Sequence, residues 1–203
     1  SLIVGSVRMC IRDRYQSSIT NSRKTVQSLF LWAVFHKRYN PIMNILEYEN
    51  YQEKIPHGNP LFPYITYPCS IPLDFSRVPL HWHDEMEIIY IKKGTGAITV
   101  DFKSYVVTGG TIALILPGRL HSIEQYMQES MEYENIIFHP GILISKKTDT
   151  SNTEFLAPLL SGALSVPLLY QPGSPCYAEI AACIDANDEI SRTNPPGYQF
   201  FIK

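Results

Sequence analysis

The sequence predicts a mainly β protein, a small antiparallel barrel followed by C-terminal helices, and three observations carry that prediction. Between His81 and Ile144, apolar residues recur in short runs at strand period, separated by turns that contain Gly, Pro or Asp. Ahead of that region Pro56, Pro60, Pro63, Pro68, Pro72 and Pro79 preclude any long helix. Beyond the polar stretch Thr148–Thr153 the apolar spacing becomes helical. At 203 residues, 45% hydrophobic and 18% charged, the chain has the length for one principal core with appendages.

The first segment stands apart by charge and by origin. Ser1–Ile42 holds seven of the seventeen basic residues and one of the nineteen acidic ones, which leaves an acidic body from Met43 onward. Met9-Cys10-Ile11-Arg12-Asp13-Arg14 back-translates to a stretch resembling a transposon-end sequencing adapter, and Val4-Gly5-Ser6-Val7 is similar to its flank. Residues 1–42 are therefore read as non-native and Met43 as the natural start. Residues 43–79, rich in Tyr and Pro, are expected to form an extended arm with short edge strands, from which Tyr64 and Tyr67 could stack over a ligand.

Residues 80–147 are expected to form the barrel. Its strands are placed at Met86–Ile91, Gly96–Asp101, Tyr105–Val107, Thr111–Leu116, His121–Tyr126 and Tyr133–Phe138. Turns are placed at Gly94, Asp101–Lys103, Gly109-Gly110 and Pro117-Gly118. Residues 148–203 are read as a linker and helices. Pro175 is placed at the first helical position behind Ser174 as cap, and Ile180, Cys183, Ile184 and Ile190 fall near one stripe. Asn194-Pro195-Pro196-Gly197 ends that helix, and the apolar segment from Tyr198 reads as interrupted inside an element.

Composition excludes several function classes. An acidic body repels phosphates and lacks the Lys/Arg face of a nucleic-acid binder, so this part is not expected to bind DNA alone. Cys10, Cys69, Cys176 and Cys183 form no CxxC pair and show no regular spacing, which suggests neither a structural zinc site nor a disulfide framework and fits a reducing cytoplasm. The longest apolar run, Leu29–Phe35, falls short of the roughly 20 residues that cross a bilayer, so no membrane or targeting segment is assigned.

One constellation carries chemistry. His81, His83, Glu87 and Gly94 have the spacing H-x-H-x3-E-x6-G. Side chains alternate across a strand, so the odd-numbered His81, His83 and Glu87 can share one face, a parity that Glu85 also has. Trp82 has the opposite parity and is expected to pack outside or against the arm. His121, brought across the barrel, would complete three imidazoles and a carboxylate, a set suited to Fe, Mn, Ni, Cu or Zn with positions left open for a ligand. The three roles open to these residues are metal ligands, polar anchors for a small organic effector, and hydrogen-bonded core groups. A lumen of this size favours pocket lining without a metal. Ile89 and Ile91 have the inward parity; Ile89 is counted with the ligand-binding residues, although core packing is the simpler role for both.

This first spacing resembles the first motif of the cupin superfamily. Gly110, five residues and Leu116-Pro117-Gly118-Arg119-Leu120-His121 resemble the second, with Leu116 in place of its first proline and Gln125 in place of its closing asparagine. The wording His-Trp-His-Asp-Glu-Met-Glu-Ile-Ile-Tyr-Ile, then Lys-Lys-Gly-Thr-Gly and Leu-Pro-Gly-Arg-Leu-His-Ser-Ile, resembles the sensor domain of AraC/XylS-type transcription regulators, as does Glu154–Leu160 after the barrel.

The resemblance implies a cupin barrel, a double-stranded β-helix or jelly roll, that binds a small effector such as a sugar at His81, His83, Glu87, Ile89 and His121. It requires no cofactor, with a divalent transition metal on His81, His83, Glu87 and His121 as an option. It further implies a homodimer through Ile180, Cys183, Ile184 and Ile190, DNA contact only through a helix-turn-helix domain absent from this chain, no membrane partner and no catalysis. The alternative is a stand-alone metal-dependent cupin enzyme, a dioxygenase or isomerase, using the same four residues.

Overall fold

Val, Ile, Thr and Tyr dominate the segments that become strands, and Gly, Pro or Asp stand where the chain reverses. The computed structural model describes residues 45–144 and 149–202, so the reading of residues 1–42 lies outside the described residues. These form two compact units, residues 45–141 with 167–169, and residues 142–166 with 170–202.

In the first unit a short helix, α1 (Ile45–Glu49), precedes the strands β1 (Tyr64–Ile71), β2 (Arg77–His81), β3 (Met86–Val100), β4 (Lys103–Thr108), β5 (Ile112–Ile115), β6 (His121–Gln125) and β7 (Met131–Phe138), and Leu169 of a last short strand, β8 (Leu169–Tyr170), returns later. The first half of β3 pairs antiparallel with β5 and β7, and its second half with β4 and β6. One sheet thus has the order β1-β7-β3-β5-β8, and β4-β3-β6-β2 form the other.

β3 replaces two strands expected on either side of Gly94. The glycine adopts φ 82°, the left-handed value that marks a turn, but here it follows a register shift against β7 between Ile91 and Lys93. Hydrogen bonding continues past it: Thr95 N–H donates to the Ser130 carbonyl (3.0 Å), and Gly109 N–H donates to the Gly94 carbonyl (2.9 Å). The chain therefore bends from one sheet into the other without leaving either.

β1 lies within the segment read as an arm with short edge strands. It pairs with β7 over its full length, from Tyr64↔Phe138 to Ile71↔Met131. Its position at the sheet edge explains why Pro68, which has no N–H to donate, is tolerated. The two sheets share one core, which takes Ile71, Ile89, Ile91, Ile98, Val100, Val107, Ala113, Ile115, Ile123, Met131 and Tyr133 from strands of both. Burying each isoleucine contributes about 1.5–3 kcal/mol. Ile89, fully buried, is one of these packing residues.

A smaller cluster of Tyr48, Trp82 and Leu120 fastens α1 to the start of the barrel. Trp82 stacks on Tyr48 with ring centroids 4.7 Å apart, and its indole N–H donates to the Tyr48 carbonyl (2.7 Å). The Tyr48 hydroxyl donates to the Gly118 carbonyl. Trp82 thus packs against the arm, as its parity suggested.

The second unit holds a π-helical turn (Asn152–Leu156), α2 (Ala157–Ser161), α3 (Tyr177–Thr193) and α4 (Tyr198–Ile202). α3 starts two residues after Pro175 because Cys176, at φ 62°, interrupts the helical backbone. Asn194 ends it in a left-handed conformation, with its N–H donating to the Ile190 carbonyl (2.9 Å). Ile180, Cys183 and Ile184 are buried on α3, and Ile190 is half-buried. Cys176 is disulfide-bonded, which the cysteine spacing did not suggest.

Candidate functional site

His81 ends β2, His83 lies between β2 and β3, Glu87 is the second residue of β3, and His121 opens β6. The β2–β6 register sets His81 opposite His121. The structure brings these four residues together: one donor atom from each lies within 4.8 Å of the others. Ring centroids are 4.1 Å apart for His81 and His121, 5.2 Å for His83 and His121, and 5.6 Å for His81 and His83. Glu87 Oε2 lies 2.9 Å from His83 Nε2 and 2.8 Å from His121 Nε2. Glu87, His83 and His121 are buried, and His81 is half-buried. Glu85 shares their parity but stands beside the set, 3.5 Å from His83 Nδ1.

Backbone contacts fix which nitrogens face inward. His121 Nδ1 lies 2.8 Å from the Arg119 carbonyl, and His81 Nδ1 lies 2.8 Å from the Pro79 carbonyl. A carbonyl only accepts, so each Nδ1 carries the proton and each neutral ring presents an Nε2 lone pair. The His121 lone pair would then meet the Glu87 carboxylate at 2.8 Å, an arrangement that requires a proton or a cation between them.

Burial opposes the charged forms of both groups. Even so, Glu87 holds the His121 imidazole above its usual range, and His121 and His83 hold the Glu87 carboxyl well below the usual carboxylate range. Burial, reinforced by His121, pushes His81 down.

Histidines anchored through one nitrogen to a carbonyl are oriented as metal ligands are. With the buried carboxylate they form a donor set that fits a divalent transition metal. A bound ion would supply a Lewis-acidic point for a ligand oxygen.

Sequence reasoning missed two neighbours. Glu53 and His57 come from the proline-rich segment, where no motif marks them. Glu53 Oε2 lies 3.0 Å from His57 Nε2 and 3.7 Å from His81 Nε2, and the His57 ring meets the His83 ring edge-on at 5.6 Å. Tyr67 is connected through His57, whose Nδ1 is 3.4 Å from its hydroxyl. Tyr64 instead accepts a hydrogen bond from the Thr66 hydroxyl (3.4 Å). Ile89 belongs to the core, and Ile180, Cys183, Ile184 and Ile190 belong to the second unit.

Two antiparallel sheets around one core, carrying an imidazole–carboxylate cluster, define a ligand-binding β-barrel domain. The chain belongs to the family of AraC-like ligand binding domains, whose family model matches residues 72–189. A curated relative, an uncharacterized HTH-type transcriptional regulator, YdeC of Bacillus subtilis, is 24% identical over 132 residues, which are 64% of this chain and 44% of that protein. The chain thus spans less than half the length of this relative.

Among solved structures, a cupin protein from Bacteroides fragilis is 18% identical, with 40% of this chain and 83% of that one covered at a TM-score of 0.32. A predicted oxalate decarboxylase from Thermotoga maritima is 29% identical, with 38% and 64% covered at a TM-score of 0.30. Both overlaps are partial. Among the described residues no helix is long and apolar enough to cross a membrane.

Proposed function

We propose that this domain senses a small organic effector, such as a sugar, at His81, His83, Glu87 and His121, on behalf of a DNA-binding domain in the same regulator. The observation that carries the reading is the convergence of four donor atoms within 4.8 Å in a member of a ligand-binding family. In this reading a divalent transition metal occupies the cluster and anchors the effector through an oxygen atom. DNA contact is made by another part of the regulator, which acts in the cytoplasm, a reading that the acidic body supports. Two chains pair through the C-terminal helices, a proposal supported by the exposed Phe200 and Phe201 on α4; Ile180, Cys183 and Ile184, expected at the seam, are already buried within one chain. Effector binding shifts the regulator between two states to the extent that its affinity differs between them.

Family membership favours sensing over catalysis, although a metal-dependent enzyme would use the same four residues. The test combines metal analysis of the purified chain with thermal-shift measurements across a metabolite panel. A metabolite that raises the Tm of the wild type but not of His83→Ala, and is recovered unchanged, supports the reading. Chemical conversion of that metabolite by the metal-loaded chain overturns it in favour of the enzyme.

A further inference from the structure

Resting on the reading of the cluster as a divalent-cation site, we propose that Glu53, from the segment ahead of the barrel, is a fifth donor to that cation and that His57 positions it. The Glu53 carboxylate faces His81 Nε2, the nitrogen left as a lone pair once Nδ1 binds the Pro79 carbonyl. Their separation of 3.7 Å is too long for a hydrogen bond. It matches two donors sharing one ion, which stand roughly 3–4 Å apart when each bond is about 2.1 Å. Both side chains are largely shielded from water, at 22% and 15% exposure, so two facing acceptors call for a positive charge between them.

Glu53 is held in place by the segment between His81 and His83. Its N–H donates to the Trp82 carbonyl (2.9 Å), and Trp82 N–H donates to the Tyr51 carbonyl (3.0 Å), so the segment is bonded to the residue between His81 and His83. His57 holds the same carboxylate oxygen, Oε2, through the 3.0 Å contact, its ring edge-on to that of His83. This is the carboxylate–imidazole pairing by which proteins orient a metal-bound oxygen. With Glu53 included, two carboxylates balance the charge of a divalent ion.

The test titrates the full-length chain with Co2+ and Zn2+, read by calorimetry and by the visible absorption of bound Co2+, whose intensity reports the number of donors. Wild type is expected to bind one ion per chain. Glu53→Gln, nearly isosteric and still able to bond His57, is expected to weaken binding by about 10- to 100-fold and to change the Co2+ spectrum. His57→Gln is expected to weaken binding less and to keep the wild-type spectrum. Circular dichroism and thermal melts of the metal-free proteins check that the fold is intact. If Glu53→Gln does not fold, Glu53→Asp, which keeps the charge on a shorter stem, is expected to show the same spectral change. Unchanged affinity and spectrum in the folded Glu53 variant overturn the fifth donor and leave the four-residue site standing. Failure of wild type to bind either ion, or full binding by His83→Ala, overturns both.

Discussion

Tyr48 ties α1 to the barrel: its ring covers Trp82, its backbone carbonyl accepts the indole N–H, and its hydroxyl donates to the Gly118 carbonyl. Burial, with Asp101 and Asp84 nearby, pushes its ionisation far above the ordinary phenol range, so it remains a donor throughout the neutral pH range. Tyr48→Phe is expected to lower stability by about 1 kcal/mol, measured as a fall in the urea midpoint at unchanged slope. Cys69 tests the same physics with the opposite reactivity. Burial pushes its thiol up, Asp74 and Glu87 add to the shift, and the Tyr133 hydroxyl only partly offsets it. Less thiolate at pH 8 means slower alkylation, so peptide-resolved mass spectrometry is expected to show Cys69 reacting with iodoacetamide more slowly than a free cysteine peptide. His81, His83, Glu87 and His121 were legible because two spacing patterns mark them. Glu53 and His57 were not, because only a backbone bridge to Trp82, 30 residues along the chain from Gln52, brings them near.

At the scale of elements, β3 decides the architecture. Gly94 is its critical position: a Cβ there would run into the Ser130 carbonyl, and φ 82° disfavours any side chain. Gly94→Ala is expected to cost about 3 kcal/mol, read as a lowered Tm. Gly173, at φ 86° with nothing within 4 Å of an added Cβ, is the control, and Gly173→Ala is expected to cost about 1 kcal/mol. Comparable losses for the two would show that the collision at Gly94 is relieved. The strands from Tyr105 to Phe138 were legible because β-branched runs alternate with strong turn signals. Gly94 was misplaced because a left-handed glycine marks a bulge as well as a turn. The length of β1 was hidden by Pro68, which an edge strand accommodates. The start of α3 was hidden because nothing in Ser174-Pro175-Cys176 announces a left-handed Cys176.

For the molecule as a whole, occupancy and stability are linked, because an ion held only by the folded state stabilises it. Zn2+ at about one hundred times its dissociation constant is expected to add about 2.7 kcal/mol, and a chelator is expected to return the Tm to the metal-free value. Equal Tm values with and without Zn2+ would count against ion binding by the fold. The passage of β3 through both sheets also determines where the polypeptide can be cut. Scission at Asp101–Phe102 would interrupt only a tight reversal and leave every ladder with both partners, so a nick there should be tolerated. Scission at Gly94 would interrupt the strand that the two sheets share, leaving strands of each sheet on both fragments. The two halves could then regain the fold only by finding each other, which makes Gly94 the natural point at which to split this domain into fragments whose reassembly reports their encounter.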